Sequence, residues 1–363
     1  MLATFTAILL FISLFAIVAA YIPSDYWLIR AFEYPRPQLI VINIIAIFLA
    51  VHVFTFKAWV ILISVILVWD ILRHLSHIWP FTILGKKEVL DAVDTKNEQT
   101  LSLFHWNVFQ HNRQVNKLKE KLANLSPDLI LLCETDQWWI DSLSYLRDNY
   151  PYYIEIPLSN TYGLCLYSRY ELRNLKEEYL VEESVPSVHA DLVLEKNRLI
   201  HIHCLHPIPP APAHSQDSIP RDGELLLVAR RIEECKDNIP VLVCGDMNDV
   251  AWSKTTRLFQ KISRLADPRR GRAIMPTFDA RVPGLRVPID QIFCSEHFRL
   301  ISMRRLPGMG SDHHGLFIKL ALVEACKAEE QLELDEPKLE DYAIAEQKIQ
   351  ESQQDPPAQD EVV

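Results

Sequence analysis

Residues 240–249 read PVLVCGDMND. A proline, a run of apolar residues and a glycine form the pattern of a short strand buried on both faces. The polar residues that follow, Asp246, Asn248 and Asp249, then stand at the strand's end, where a sheet offers side chains to a cleft. The same arrangement recurs outward along the chain. The run 101–108 carries Asn107 near its end, 128–133 (DLILLC) is followed by Glu134-Thr-Asp136, and 198–205 is followed by His206-Pro-Ile-Pro-Pro. Further on, 289–294 opens around Asp290, and Gly310-Ser-Asp312-His313-His314 precedes a last apolar run.

Apolar runs at 163–168, 188–194 and 314–320 complete a set of eight predicted strands, and helical spacing fits 113–125, 137–148 and 222–236. Ser126-Pro127-Asp128 and Asn238-Ile239-Pro240 punctuate helix-to-strand turns. The pattern is mixed α/β, without a repeat of fixed period. These elements assign 99–320 to one globular domain, preceded by a polar linker over 85–98.

The remaining chain divides by composition. Of 363 residues, 49% are hydrophobic and 23% charged, which excludes a wholly disordered chain and a small disulfide scaffold. The net charge of −10 resides in residues 321–363, an acidic tail rich in Glu, Gln and Asp that is expected to be disordered; residues 1–320 are balanced. Residues 1–84 read as a transmembrane segment of about three helices. Met1–Ser24 and Pro37–Phe56 lack any charge, and a shorter run, Ala58–Trp69, is interrupted by Asp70. A pair of Asp70 with Arg73 or His74 at helical spacing would ease that cost. With three spans, Arg30, Arg36, Arg73, Lys86 and Lys87 share a side with the domain and Lys57 lies opposite. The positive-inside rule then favours a cytoplasmic domain. Cys133, Cys204 and Cys244 sit in apolar strands, as buried free thiols of a reducing compartment would.

A carboxylate at one strand end means little. Here two amides, four acids and histidines recur in that setting, supplying hard oxygen ligands for Mg²⁺ or Mn²⁺ and imidazoles able to steady a phosphoryl oxygen. In order and approximate spacing, Asn107, Leu-Cys-Glu134, His206, Gly-Asp246-Met-Asn248, Ile-Asp290-Gln and Ser-Asp312-His313 resemble the endonuclease/exonuclease/phosphatase superfamily. The membrane segment, the HPIPP turn and Arg221-Asp222 resemble its bacterial, membrane-anchored branch, which implies an inner-membrane location. The resemblance covers nearly all of 99–320. It implies a deoxyribonuclease I-like fold, a two-layered β-sandwich flanked by helices.

The resemblance also implies roles. Glu134 is the principal metal ligand, with Asn107 and Asp312 completing or lining the metal site. Asp246 orients or deprotonates the attacking water, and Asn248 beside it contacts phosphate. His206 and His313 donate to the phosphate from two sides, His313 being oriented by Asp290. The implied cofactor is Mg²⁺ or Mn²⁺. His189, His201 and His203 alternate on strands as packing or surface residues. His314 should point away from His313. Asp136 and Asp249 read as surface or turn-capping acids. Met247 replaces a usual aromatic without touching the chemistry.

The substrate is a phosphate ester, and its carrier is left open. Residues 254–286 hold nine Lys/Arg against Asp267 and Asp279, which fits a nucleic acid or a phospholipid headgroup, or else a solvated basic face. The resemblance makes nuclease-type phosphodiester hydrolysis the default. A phosphatase or phospholipase acting on a membrane-borne ester is the alternative, and a catalytically silent binding domain a third reading. No protein partner is predicted.

Overall fold

A computed structural model describes residues 1–93, 98–235, 237–323 and 334–354 of the chain. Its strands, in chain order, are β1 (Gln99–Asn107), β2 (Leu129–Cys133), β3 (Tyr152–Ile156), β4 (Leu164–Ser168), β5 (Glu171–Glu178), β6 (Ser187–Val193), β7 (Leu199–Leu205), β8 (Val241–Asp246), β9 (Asp290–Cys294), β10 (Phe298–Arg305) and β11 (Leu316–Leu322). They form a six-stranded sheet, β10-β11-β1-β2-β4-β3, and a five-stranded sheet, β5-β6-β7-β8-β9. Both sheets are mixed: β1–β2 and β7–β8 are parallel pairs, and the other pairs are antiparallel.

Side chains alternate across each strand, and both faces are used. Leu103, Leu131 and Leu166 of one sheet meet Ile202, Leu242 and Ile292 of the other in the central core. The opposite residues, Phe104, Ile130 and Tyr167, face a helical layer. The helices, in chain order, are α1 (Leu2–Ala19), α2 (Trp27–Arg30), α3 (Arg36–Phe54), α4 (Ala58–Ile78), α5 (Val115–Leu125), α6 (Gln137–Leu143), α7 (Ile219–Glu234), α8 (Lys254–Ser263) and α9 (Leu339–Gln354). Leu118 and Leu122 of α5 and Trp139 of α6 cover the first sheet. Residues of α7, α8 and α9 cover Val243 and Phe293 of the second. This is the expected sandwich flanked by helices.

The strands absent from the sequence reading are β3, β5 and β10, all at sheet edges. Edge strands carry charge and lack a continuous apolar run; Glu171–Glu178 reads ELRNLKEE. The linker also differs from expectation. Leu300 N–H donates to the Leu90 carbonyl at 2.8 Å, Ala92 N–H donates to the Leu300 carbonyl at 2.9 Å, and Val89 is buried in the core. Residues 89–92 thus border the first sheet, while 94–97 lie outside the described residues.

The tail is corrected too. Helix α9 buries Ala345 and Ile349 against α7 and α8. Lys348 bonds Asp25 at 2.8 Å and lies 3.2 Å from Asp222. A Cβ on Gly223 would lie 2.1 Å from Ser352 Oγ, so glycine permits this close crossing of α7 and α9. Most of the tail's charge lies on the exposed side of this helix or outside the described residues, so acidity was a poor guide to order. Residues 324–333 and 355–363 are among those outside.

Three N-terminal helices, Leu2–Ala19, Arg36–Phe54 and the stretch Ala58–Phe81, are long and apolar enough to cross a membrane. Asp70, buried on α4, accepts from Arg73 Nη2 at 2.6 Å and Asn43 Nδ2 at 2.9 Å, and lies 3.1 Å from His74 Nε2. Both expected partners are present. Between α1 and α3 the chain lies on the catalytic domain: Trp27 N–H donates to the Gln216 carbonyl at 2.9 Å, and Trp252 Nε1 donates to the Glu33 carbonyl at 2.8 Å.

Candidate active site

Strand direction brings the polar strand ends together. Asn107 and Glu134 leave the parallel pair β1–β2, and His206 and Asp246 leave the parallel pair β7–β8. Antiparallel β9 places Asp290 in register with Asp246, and His313 lies just ahead of β11, the antiparallel partner of β1. The glycine of the Gly-Asp-Met-Asn run is dictated by this packing. Gly245 has φ +149°, and a Cβ there would lie 1.9 Å from the Leu205 carbonyl oxygen.

Asn107, fully buried, bridges two carboxylates. Its Nδ2 donates to Glu134 Oε1 at 2.8 Å and to Asp246 Oδ2 at 3.0 Å, while its Oδ1 accepts Phe109 N–H at 3.0 Å. Glu134 sits in the left-handed region, φ 60°, and its Oε2 accepts Gln110 N–H at 3.1 Å. A non-glycine residue held there is the backbone cost common at functional sites. The amide therefore clamps the two acids. Its oxygen, beside them, accepts a backbone N–H and keeps a second lone pair.

His313 forms the second half. Its Nδ1 lies 2.8 Å from Asp290 Oδ2 and its Nε2 3.6 Å from Asp246 Oδ2. His105 Nε2 holds the other Asp290 oxygen at 2.8 Å. Burial opposes charge on His313, but the carboxylates of Asp290 and Asp246 outweigh it and hold its pKa at about 10. Burial alone would raise the Asp290 carboxyl; His313 and His105 keep it well below the usual carboxylate range. His105 was missed from sequence, although it stands two residues before Asn107 on the same strand face.

His206 is buried, with Nε2 3.9 Å from Asp246 Oδ2 and Nδ1 lacking a hydrogen-bond partner. Burial outweighs Asp246 and Glu134 and lowers its pKa, favouring the neutral ring. The Tyr162 ring packs 5.5 Å from it. Asn248 follows Asp246 in the turn after β8. Its Nδ2 donates to the Pro207 carbonyl at 2.9 Å and its N–H to Asp246 Oδ1 at 3.1 Å, locking the β7 and β8 ends to each other. Asp312 is at the rim, 3.3 Å from Arg281 Nη2 and 3.3 Å from Ser311 Oγ. Burial raises its carboxyl pKa.

The residues read as bland divide. His314 Nδ1 lies 2.9 Å from the Leu306 carbonyl, away from Asp290. Asp136 caps α6 by accepting Trp139 N–H at 3.0 Å. Asp249 is no surface acid: it is buried, accepts Thr256 Oγ1 at 3.2 Å and Ser253 Oγ, and lies 3.5 Å from Arg221. His189 and His203 pair at 2.7 Å within their sheet. Part of the basic excess of 254–286 is offset by acids beyond that window, Lys261 by Asp341, Arg270 by Glu88 and Arg272 by Asp91, which leaves four of the seven excess charges. Arg269 and Arg281 pair with Asp267 and Asp279 within it.

The donor chemistry fits a hard divalent cation. Among the described residues, Asp246, Asp290 and His313 form one of two groups able to hold a metal, but both Asp290 oxygens are engaged by histidines. Glu134 and Asp246, carboxylates clamped by one amide, accept one N–H at each oxygen, from Asn107, Gln110 and Asn248, and keep a further lone pair there for a cation, whereas the Asp290 oxygens face two imidazoles. The other group, His201, Cys235 and Asp237, lies apart from this site.

The profile of the Endonuclease/Exonuclease/phosphatase family matches residues 104–313, more than half of the chain. No curated protein matches the chain in sequence. Among solved structures, an endonuclease/exonuclease/phosphatase from Bacteroides vulgatus is 17% identical, covering 62% of this chain and 100% of its own, with a TM-score of 0.50. One from Beutenbergia cavernae is 15% identical, covering 62% and 72%, with a TM-score of 0.50. D. rerio TDP2, complexed with a single-strand DNA product, is 16% identical, covering 61% and 99%, also with a TM-score of 0.50. At these identities the likeness is one of fold.

Proposed function

Because the chain belongs to the endonuclease/exonuclease/phosphatase family of phosphoester hydrolases, we propose that it is a membrane-anchored, Mg²⁺- or Mn²⁺-dependent phosphodiesterase. The observation that carries this is the Glu134–Asn107–Asp246 clamp facing the Asp290–His313 pair across a gap of 3.6 Å. Glu134 and Asp246 would hold the cation, which when bound neutralises the phosphoryl oxygens and polarises phosphorus. Asp246 orients the attacking water and takes its proton. His313, kept charged by Asp290, donates to the phosphoryl oxygen as charge develops, and His206 donates from the other side. Asp312 and Arg281 line the entrance.

The three apolar helices support anchoring. Arg30, Arg36, Arg73, Lys86 and Lys87 on the catalytic side, against Lys57 on the other, support a cytoplasmic domain. The test is release of 4-nitrophenolate from bis(4-nitrophenyl) phosphate by the full chain in detergent. Turnover should require added Mg²⁺ or Mn²⁺ and fall about 10²–10⁴-fold in Asp246→Asn. Undiminished turnover in that variant would refute the assignment.

A further inference from the structure

The entrance to the site is built onto the first turn of a membrane helix. Gln38, the third residue of α3, donates from Nε2 to the Gly284 carbonyl at 2.9 Å and the Arg286 carbonyl at 3.3 Å. Ile40, two residues further into α3, and Phe278 both pack against the cluster that holds Ile289. The Phe278 ring lies 5.0 Å from the His313 ring. Tyr34, two residues before α3, donates its hydroxyl to the Asn248 carbonyl at 2.6 Å. Single side-chain layers thus separate α3 from both the imidazole and the turn that follows Asp246.

The loop between these contacts is unusual in composition. Residues 281–285, Arg-Val-Pro-Gly-Leu, are exposed throughout, with Leu285 64% and Val282 40% accessible. Its base is fixed to the reaction centre: Ala280 N–H donates to the Asp312 carbonyl at 2.6 Å, and Arg281 reaches the Asp312 side chain at 3.3 Å. Its tip is fixed to the start of α3 by Gln38. Ile83 and Leu84, just past the end of α4 on the same side, are exposed as well. Apolar side chains flanked by arginines, at the level where two membrane helices meet water, are suited to the headgroup–acyl boundary.

Resting on the hydrolase and membrane readings above, we propose that the 281–286 loop inserts into the bilayer surface as a lip of the active site, and that the substrate is a phosphate ester carried by a lipid of the same leaflet. An ester in the bilayer reaches His313 by lateral diffusion past Val282 and Leu285. A nucleic acid would have to bring its phosphates against the anionic headgroup layer, where like charge opposes it.

The full chain, reconstituted in phosphatidylcholine vesicles with Mg²⁺, is tested on two phosphodiesters with one leaving group: hexadecyl 4-nitrophenyl phosphate, which partitions into the bilayer, and water-soluble ethyl 4-nitrophenyl phosphate. The hexadecyl ester should be favoured in kcat/KM by about tenfold or more, and Val282→Asp/Leu285→Asp should remove most of that preference, since each buried aliphatic side chain is worth about that factor. Cleavage of the ethyl ester should stay within about twofold in the variant, which spares every residue placed in the chemistry. Equal efficiency on the two esters, or an unchanged preference in the variant, overturns the proposal while leaving the hydrolase reading intact. A nitroxide at Leu285→Cys, with Cys235 and Cys326 replaced by serine, gives a readout free of activity. It should be more accessible to oxygen than to a water-soluble nickel chelate, and the reverse order overturns the inserted lip.

Discussion

His313 and His314 are identical in type and adjacent in sequence, and the fold gives them opposite fates. His313 meets Asp290 at 2.8 Å, whereas His314 meets a backbone carbonyl. His313→Ala and Asp290→Ala should each lower turnover about 10²–10⁴-fold, and the double variant should be little worse than either. His314→Ala should cost far less. Independent, additive losses at 313 and 290 in a four-way kinetic cycle would contradict the pairing. His105→Ala should act through the same pair, adding nothing further in the Asp290→Ala background. Such a unit was only partly legible in sequence. Asp290 and His313 belong to recognisable runs, but the partner that fills the second Asp290 oxygen lies 185 positions away, and only folding reveals it. Asn248 shows the converse: a recognisable motif residue whose amide is spent on the neighbouring strand end.

Among the elements, the charged edge strands and α9 carry most of what sequence could not supply. Continuous apolar runs gave the central strands to within a residue or two, because strands buried on both faces must be apolar throughout. The edge strands β3, β5 and β10 and helix α9 leave residues exposed and carry charge, so they lack a continuous apolar run. Deleting 335–363 removes Ala345 and Ile349 from the α7–α8 surface and the Lys348 ammonium from Asp222. That deletion should lower the melting temperature by several degrees or more, as loss of a few kcal/mol does in domains of this size; an unchanged melt would show α9 to be an ornament. Helix α7 also buries Glu224, whose Oε1 lacks a partner. Burial, helped by Glu182, raises its carboxyl to about 8. Between its ordinary value of 4.5 and about 8 the folded chain holds a proton that the unfolded chain has lost, so stability falls as pH climbs through that window. Glu224→Gln should therefore raise the melting temperature more at pH 8 than at pH 5, and equal gains would contradict a buried neutral acid.

In the whole molecule, the apolar N-terminal helices and residues 85–93 pack against the domain. The sequence suggests a domain beginning at 99, because a polar stretch precedes it. The structure puts Val89 in the central core and pairs Glu88 with Arg270 at 2.7 Å. A fragment spanning 85–354 should therefore melt cooperatively and at higher temperature than one spanning 99–354, in calorimetry of the two side by side. Burial of Val89 alone contributes about 1.5–3 kcal/mol. Equal melts would restore the linker.

Glu134 and Asp246, clamped by Asn107, are the cation ligands proposed for this phosphoester hydrolase. The most direct measurement is a Mg²⁺ titration of turnover on bis(4-nitrophenyl) phosphate, starting from chelator-treated full chain, for the wild type and Glu134→Gln. Glutamine keeps the shape and removes the charge. The wild type should be inactive without metal and recover saturably, while Glu134→Gln should need about tenfold or more Mg²⁺ for half-recovery and reach a lower plateau. Turnover that survives chelation, or a Glu134→Gln curve that overlays the wild type, would contradict the account.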